Sequence, residues 1–281
     1  MKETGPASTS TLFSARGLAV TAMAGLIGLL MAHWPMLITG FRRLQTDPGD
    51  TRLIHYLLEH GYRWLAGEPH HRDFWNAPFF YPAKNVAAYS DTLLGVMPFY
   101  ALFRGLGAGA DLAFGLWLVE MSVLNYAAAL LLFRRGFELG LPSSVAAAYL
   151  VAFGSPRMEQ LGHAQLLPCF YLTLSLLALA VLFRHPPPGH SRRFLLWGAA
   201  SLGFAAQLYS GVYLGWYFAI TLGIGTFVAL GFRGSRGPLL RVAIRDSPSS
   251  SSPESRPDAC SGRSRPIIAS RRKRGASTSP S

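Results

Sequence analysis

The sequence has few charged residues and very little cysteine. Asp, Glu, Lys and Arg make up 14% of its 281 residues, 50% are hydrophobic, and the mean hydropathy is +0.26. In soluble domains about a quarter of the residues are charged, so this balance excludes an ordinary globular domain and predicts a polytopic membrane protein. Cys169 lies in an apolar run and Cys260 in a polar tail. These contexts argue against a disulfide, and the spacing does not fit a zinc site.

Acidic residues are also scarce, with 14 Asp and Glu against 26 Lys and Arg. Eleven of the basic residues, but only three acidic ones, lie in residues 233–281. A nucleic-acid surface needs its basic residues on a folded face, whereas this segment is rich in Ser, Pro and Arg. We therefore exclude nucleic acid as a partner and expect 233–281 to be a disordered basic tail.

Long apolar runs predict an all-α polytopic membrane protein with about six transmembrane helices. Their expected ranges are 17–40, 112–133, 141–155, 164–183, 194–210 and 211–232. A further apolar stretch, 92–106, is assigned to the membrane interface, because the arginine-rich loops then share the side of Lys2 and Arg16. This positive-inside pattern places both termini, including residues 1–16, in the cytoplasm. It places a long first loop, 41–111, on the outer face, together with 155–165 and 209–213.

The outer loop is predicted to carry two interfacial helices, of which the first follows Asp50. In TRLIHYLLEHGYRWL the apolar residues recur at helical spacing, which indicates an amphipathic helix lying flat on the bilayer. Asp50 is interpreted either as the N-cap of that helix or as a fixed carboxylate that serves as a general base or metal ligand. Arg52 can bind a phosphate or pair with a neighbouring acid.

Asp91 precedes the second interfacial helix, 92–106. We expect it to cap that helix and to face the same aqueous pocket as Asp50. Glu120 lies inside the predicted span 112–133, where a charged side chain is costly and should face the bundle interior. Ser122 and Asn125 are its expected structural partners, and a functional role for Glu120 remains the alternative.

A second polar segment, SPRMEQLGHAQLLP, follows the span 141–155. It contains Arg157, Glu159, His163 and Gln165, and in a helix Glu159 and His163 share a face. That pattern is typical of a proton relay, a cation site or a structural hydrogen-bond cluster.

Several of these motifs together resemble the GT-C superfamily of polytopic membrane glycosyltransferases. They are GDTR, HGYRWL, FWNAPFFYPAKNVAAYSD, YSDTLLGVMPFYALFR, LGHAQLLPCFYLTL and QLYSGVYLGWY, within about residues 17–232. The phrases are most similar to those of uncharacterised bacterial members. The resemblance implies a bacterial cytoplasmic (inner) membrane location, a lipid-phosphate-linked sugar donor, and Asp50 in GDTR as the general base. For a second acidic position of the family, Glu159 is the nearest match and His163 a substitute.

The resulting expectation is an enzyme that transfers a sugar from a polyprenyl phosphate to an outer-face acceptor. Its expected catalytic residues are Asp50, Glu159 and His163, and its expected substrate-binding residues are Arg52, Asp91, Arg157 and Gln165. No cofactor is certain, although a divalent cation is compatible with the carboxylates; membrane lipid and the lipid-linked donor are the partners. Family members continue with further spans, so we interpret the chain as an N-terminal fragment. The alternatives are a transporter or flippase lined by Glu120, Glu159 and His163, and a truncated, non-catalytic remnant.

Overall fold

The computed structural model describes residues 14–44, 49–184, 189–232 and 236–237. Within these ranges the chain is helical and contains no strand, which confirms the all-α prediction. Of the predicted tail, residues 233–281, only residues 236–237 lie within these ranges. The α-helices are α1 Ala15–Ile38, α2 Asp50–Leu65, α3 Met97–Gly105, α4 Ala110–Leu131, α5 Leu141–Phe153, α6 Ser155–Met158, α7 Phe170–Arg184, α8 His190–Ser210 and α9 Val212–Gly231.

Shorter turns complete the helical framework. A π-helical turn, Leu132–Gly136, extends α4. In the part of the chain that the structure describes, the connections contain the 3₁₀ turns Pro69–His71, Val86–Tyr89, Glu159–Gly162 and Ala164–Leu166.

Among the described residues, four helical stretches are long and apolar enough to cross a membrane, which supports the assignment as a membrane protein. They are Ala15–Ile38, Ala110–Gly136, Ala164–Arg184 and Val212–Gly231. The other two predicted spans correspond to α5 and α8. The 13 residues of α5 reach only about 20 Å, and α8 begins with the polar residues HSRR.

The main core forms where α2 and α3 pack against the N-terminal half of α4. Trp117 and Phe114 of α4 are fully buried, together with Tyr100 of α3 and Leu58 of α2. A second core joins α1, α4 and α5. Here Gly28 allows close approach, because a Cβ at this position would lie 2.2 Å from Cδ2 of Phe153.

The amphipathic helix α2 was predicted to rest its apolar face on the bilayer, but much of that face packs against protein. Ile54, Leu57 and Leu58 are buried in the main core. His60 of the same helix is also buried. The second interfacial helix is shorter than predicted, because Leu93 has a positive φ of 57° and α3 begins only at Met97.

Candidate functional site

Three polar segments that are far apart in sequence meet at one end of the helices. Thr51 at the start of α2 donates from Oγ1 to the carbonyl of Gly162, at 3.2 Å. At the junction of α8 and α9, the carbonyl of Tyr209 accepts from Thr92 Oγ1 at 3.3 Å and from Gly95 N–H at 3.1 Å. The convergence of these segments, which the topology predicted, is therefore present in the fold.

Asp50 and His163 form the polar centre of this region. Asp50 Oδ2 lies 2.6 Å from His163 Nδ1, and the side chains are 51% and 52% exposed. Gly49 is the N-cap of α2 and Asp50 is the first helical residue, so the interpretation of Asp50 as the N-cap was wrong. Its carboxylate is therefore directed to His163, while still lying at the helix end that favours negative charge.

A backbone hydrogen bond holds the main chain at His163, and the ring contacts Asp50. His163 sits between two 3₁₀ turns with φ −114° and ψ 66°, and its N–H donates to Gln160 O at 2.9 Å. With Nδ1 bonded to a carboxylate, the neutral ring carries its proton on Nδ1 and presents the lone pair of Nε2. Within the described part of the chain Nε2 has no hydrogen-bond partner, and it is open to an incoming hydroxyl.

Glu159 is not positioned as expected. The α-helix α6 ends at Met158, and a 3₁₀ turn then separates Glu159 from His163, so the two do not share a helical face. The Glu159 side chain is exposed and makes no hydrogen bond or ion pair with the described residues. His163 pairs with Asp50 instead, because the tertiary fold brings the start of α2 to the same connection.

Arg157 and Gln165 lie beside this pair in the same connection. Arg157 is partly buried: its Nη1 donates to Leu166 O at 2.6 Å, whereas its Nε is buried without a hydrogen-bond partner. Gln165 Oε1 is likewise buried and unpaired. Arg52, in the first turn of α2, is exposed, and its guanidinium has no hydrogen-bond or ion-pair partner among the described residues.

Arg157 also lines a groove of about 440 Å³ between the α5–α6 region and α9. Its walls include Leu150, Leu214 and Tyr217, and Gln160 contributes the other polar side chain. The groove therefore joins an apolar surface to a guanidinium in the connection that carries His163.

Asp91 is buried and performs a different structural role from the predicted one. Its Oδ1 accepts from the N–H of Val212 at 2.6 Å, so it caps α9, and α3 instead begins after Val96. Burial raises the pKa of Asp91, and the bond from Val212 only partly opposes that effect. Asp91 therefore does not face an open aqueous pocket with Asp50.

Helix α2 is held in place by a charged cluster at Glu59, whose role was not predicted. Arg104 donates to both carboxylate oxygens, at 2.9 and 3.1 Å, Tyr100 at 2.6 Å, and Arg63 at 2.8 Å. Burial alone raises the pKa of Glu59, but these hydrogen bonds outweigh it and hold the pKa below its usual range. The sequence contained one signal, the i,i+4 spacing of Glu59 and Arg63.

The expected partners of Glu120 bond elsewhere. Asn125 donates to Leu167 O at 2.8 Å and accepts from Cys169 N–H at 2.9 Å, and Ser122 bonds the ring of His33 at 2.9 Å. Glu120 Oε2 is buried without a partner. Asn125, which lies in α4, therefore holds the segment after His163 against that helix.

No cluster suited to a metal is present in the described ranges, where no three His, Cys, Asp or Glu residues group together. His71 instead bonds His60, with their Nδ1 atoms 2.7 Å apart, and His60 Nε2 bonds Phe74 O at 3.0 Å. Comparison with protein-family models, with curated proteins and with solved structures finds no match for this chain.

Proposed function

We propose that this protein is a GT-C-type membrane glycosyltransferase that moves a sugar from a polyprenyl phosphate to an acceptor hydroxyl. The observation that carries the proposal is the Asp50–His163 pair, with Nδ1 and Oδ2 2.6 Å apart at a half-exposed position. A carboxylate that orients an imidazole is a recurring general-base arrangement in proteins. Its position where three polar segments meet supports a site rather than an isolated surface ion pair.

The proposed roles within the pair differ from the initial expectation. Asp50 was expected to be the base, but its Oδ2 is engaged by His163, which leaves Nε2 of His163 as the exposed proton acceptor. The acceptor oxygen attacks the anomeric carbon, the bond from that carbon to the phosphate oxygen breaks, and the hydroxyl proton passes to Nε2. Asp50 orients the ring and stabilises the imidazolium that forms.

The groove at Arg157 supports a lipid-phosphate donor. Its apolar walls suit a polyprenyl chain, and the guanidinium provides the charge that a leaving phosphate requires. The buried, unpaired Nε of Arg157 is a donor that a phosphate oxygen can satisfy. Arg52, exposed two residues after Asp50, is a second cation for the same group. The described residues form no cluster suited to a divalent cation, so the proposed roles are assigned to the Asp50, His163, Arg157 and Arg52 side chains alone.

The proposed topology has six transmembrane helices, with α5 and α8 completing the four long apolar ones, and a long outer loop with α2 and α3. Both termini then lie in the cytoplasm of a bacterial cell, with the chain in the inner membrane. The arginines support this arrangement, because Arg134, Arg135 and Arg192 fall on the side opposite His163.

The direct test is sugar transfer from a labelled polyprenyl-phosphate sugar in membranes containing the full chain. We expect Asp50→Asn and His163→Gln each to reduce the rate by about 10²-fold or more, the usual range for a general base. Because the two side chains act as one unit, the double variant should be little slower than either single variant.

Asp111→Asn is the matched control, since Asp111 is an exposed acid at the start of α4, 85% exposed and outside the pair. It should retain transfer. Unchanged transfer in both Asp50→Asn and His163→Gln, with normal protein levels, contradicts the proposal.

A transporter is the second candidate, favoured by the buried and unpaired Oε2 of Glu120 within α4. An unpaired carboxylate in a membrane span is a typical proton-coupling residue. Uptake that is lost in Glu120→Gln and kept in Asp50→Asn would support transport over transfer.

A further inference from the structure

An apolar groove of about 530 Å³ runs between α7 and α8, away from the Asp50–His163 site. Its lining extends along α7 from Tyr171 to Val181, and ten residues of helix span about 15 Å. This is about half of the hydrocarbon thickness of a bilayer, which is roughly 30 Å. The groove therefore has the length of a single leaflet.

The shape of the groove follows from small side chains along its floor. Ala178 of α7 and Ala199 and Gly203 of α8 line it, between walls of leucine and valine. A Cβ at Gly203 would lie 2.6 Å from Ser175 Oγ, so the two helices approach closely there. Ser175 Oγ also donates to Ala200 O at 2.7 Å, which holds the two helices together. The two helices are therefore held close together beneath the small side chains that line the groove.

One end of the groove is positively charged. Arg135, in the π-helical turn after α4, is the one charged residue of the lining that the described chain provides. It is exposed and makes no hydrogen bond or ion pair with the described residues. Next to it, Arg184 Nη1 donates to Gly136 O at 3.2 Å, which brings a second guanidinium to the same end. None of the described acidic side chains lines the groove.

We propose that this groove binds one anionic phospholipid from the leaflet at the Arg135 end. Its phosphate is held by the Arg135 guanidinium, and one acyl chain lies along Ala178, Ala199 and Gly203. The charge complementarity selects the ligand: a guanidinium binds phosphate oxygens by charge-assisted hydrogen bonds, while the apolar lining accepts only a hydrocarbon chain. The proposal is independent of the Asp50–His163 chemistry.

The test is native mass spectrometry of the full chain in detergent, titrated separately with phosphatidylglycerol and with zwitterionic phosphatidylcholine. We expect one phosphatidylglycerol to bind in preference to phosphatidylcholine. Arg135→Gln should weaken phosphatidylglycerol binding by about ten-fold, as expected for loss of a hydrogen bond to a charged group. Ala199→Leu should weaken both lipids, because the larger side chain fills the groove.

Two variants provide matched controls. Arg72→Gln removes an exposed arginine from the outer loop, and Ser201→Leu adds the same side chain at an exposed α8 position outside the groove lining. Both should bind lipid normally, and all variants should keep their helical circular dichroism. The proposal is overturned if Arg135→Gln binds phosphatidylglycerol like Arg72→Gln. It is also overturned if Ala199→Leu binds like Ser201→Leu, or if the bound species is a second copy of the chain.

Discussion

Replacing Glu59 with glutamine is expected to destabilise the anchoring of α2, the helix that carries Asp50. Glu59 is 13% exposed and accepts four hydrogen bonds: two from Arg104, one from Tyr100 and one from Arg63. A hydrogen bond to a charged group contributes about 1.5–3 kcal/mol, but the Arg63 contact contributes less than about 1 kcal/mol, since that side chain is 40% exposed. Gln retains one acceptor oxygen.

The expected loss is therefore about 3 kcal/mol in the free energy of unfolding, within the range for removing one partner of a buried ion pair. It should be measured by SDS titration in mixed micelles, followed by circular dichroism. Glu68→Gln is the matched control: Glu68 is 43% exposed, and its carboxylate pairs with Arg63 at 3.2 Å. Its loss should be below about 0.5 kcal/mol.

The effect of Glu59→Gln should also depend on pH in a defined direction. The pKa of Glu59 is lowered from the ordinary 4.5, so its stabilisation is fully present above that pH. It is lost as the pH falls through the lower folded-state pKa. The difference between wild type and Glu59→Gln should accordingly stay constant from pH 7 to about 5 and shrink at lower pH. Equal losses for Glu59→Gln and Glu68→Gln at pH 7 would refute the assigned role of the cluster.

Three further changes test other parts of the fold by the same unfolding measurement. Asp91→Ala removes the side-chain acceptor for Val212 N–H and should cost about 1 kcal/mol, the usual effect of losing a helix cap. Asn125→Leu removes both bonds to the connection after His163 and should cost about 1–2 kcal/mol, as for polar contacts between membrane helices. Gly28→Ala forces Phe153 to move and should cost about 1–3 kcal/mol by overpacking.

Gly223→Ala is the control for the packing variant, because a Cβ at Gly223 meets nothing within 4 Å. This variant should be neutral or slightly stabilising, since alanine favours a helix more than glycine does. An Asp91→Ala chain as stable as wild type would contradict the capping role. A neutral Asn125→Leu would show that the connection is held by its backbone alone.

The helices were largely predictable because their signals are local. Hydropathy located α1, α4, α7 and α9 to within a few residues, and the predicted span 164–183 matches the apolar stretch Ala164–Arg184. The α-helical part of that stretch begins only at Phe170, because Pro168 lacks a backbone donor and residues 164–166 form a 3₁₀ turn before it. Helix α2 was located from the helical spacing of its apolar residues. That spacing alone does not show whether the apolar face packs against lipid or against protein.

The site was predictable in its components but not in its pairings. The distribution of arginines along the chain predicted that Asp50 and His163 lie on the same side of the membrane. In the structure Asp50 Oδ2 and His163 Nδ1 are 2.6 Å apart. The i,i+4 spacing suggested that Glu159 and His163 share a helical face. The α-helix ends at Met158, however, so Glu159 is not positioned beside His163. Asp91 likewise caps a helix 121 residues later in the chain rather than the next one.

The sequence alone determined that this is an all-helical membrane protein with a polar segment, 46–91, between apolar runs, because hydropathy and periodicity are properties of neighbouring residues. The tertiary structure alone decided which residues of that segment are anchors and which are available for chemistry. The carboxylates of Glu59 and Asp91 both accept hydrogen bonds from other parts of the protein. Asp50, by contrast, is half exposed and contacts the imidazole of His163. The partner of each acid depends on which distant segments the packing brings together, and this cannot be read from neighbouring residues.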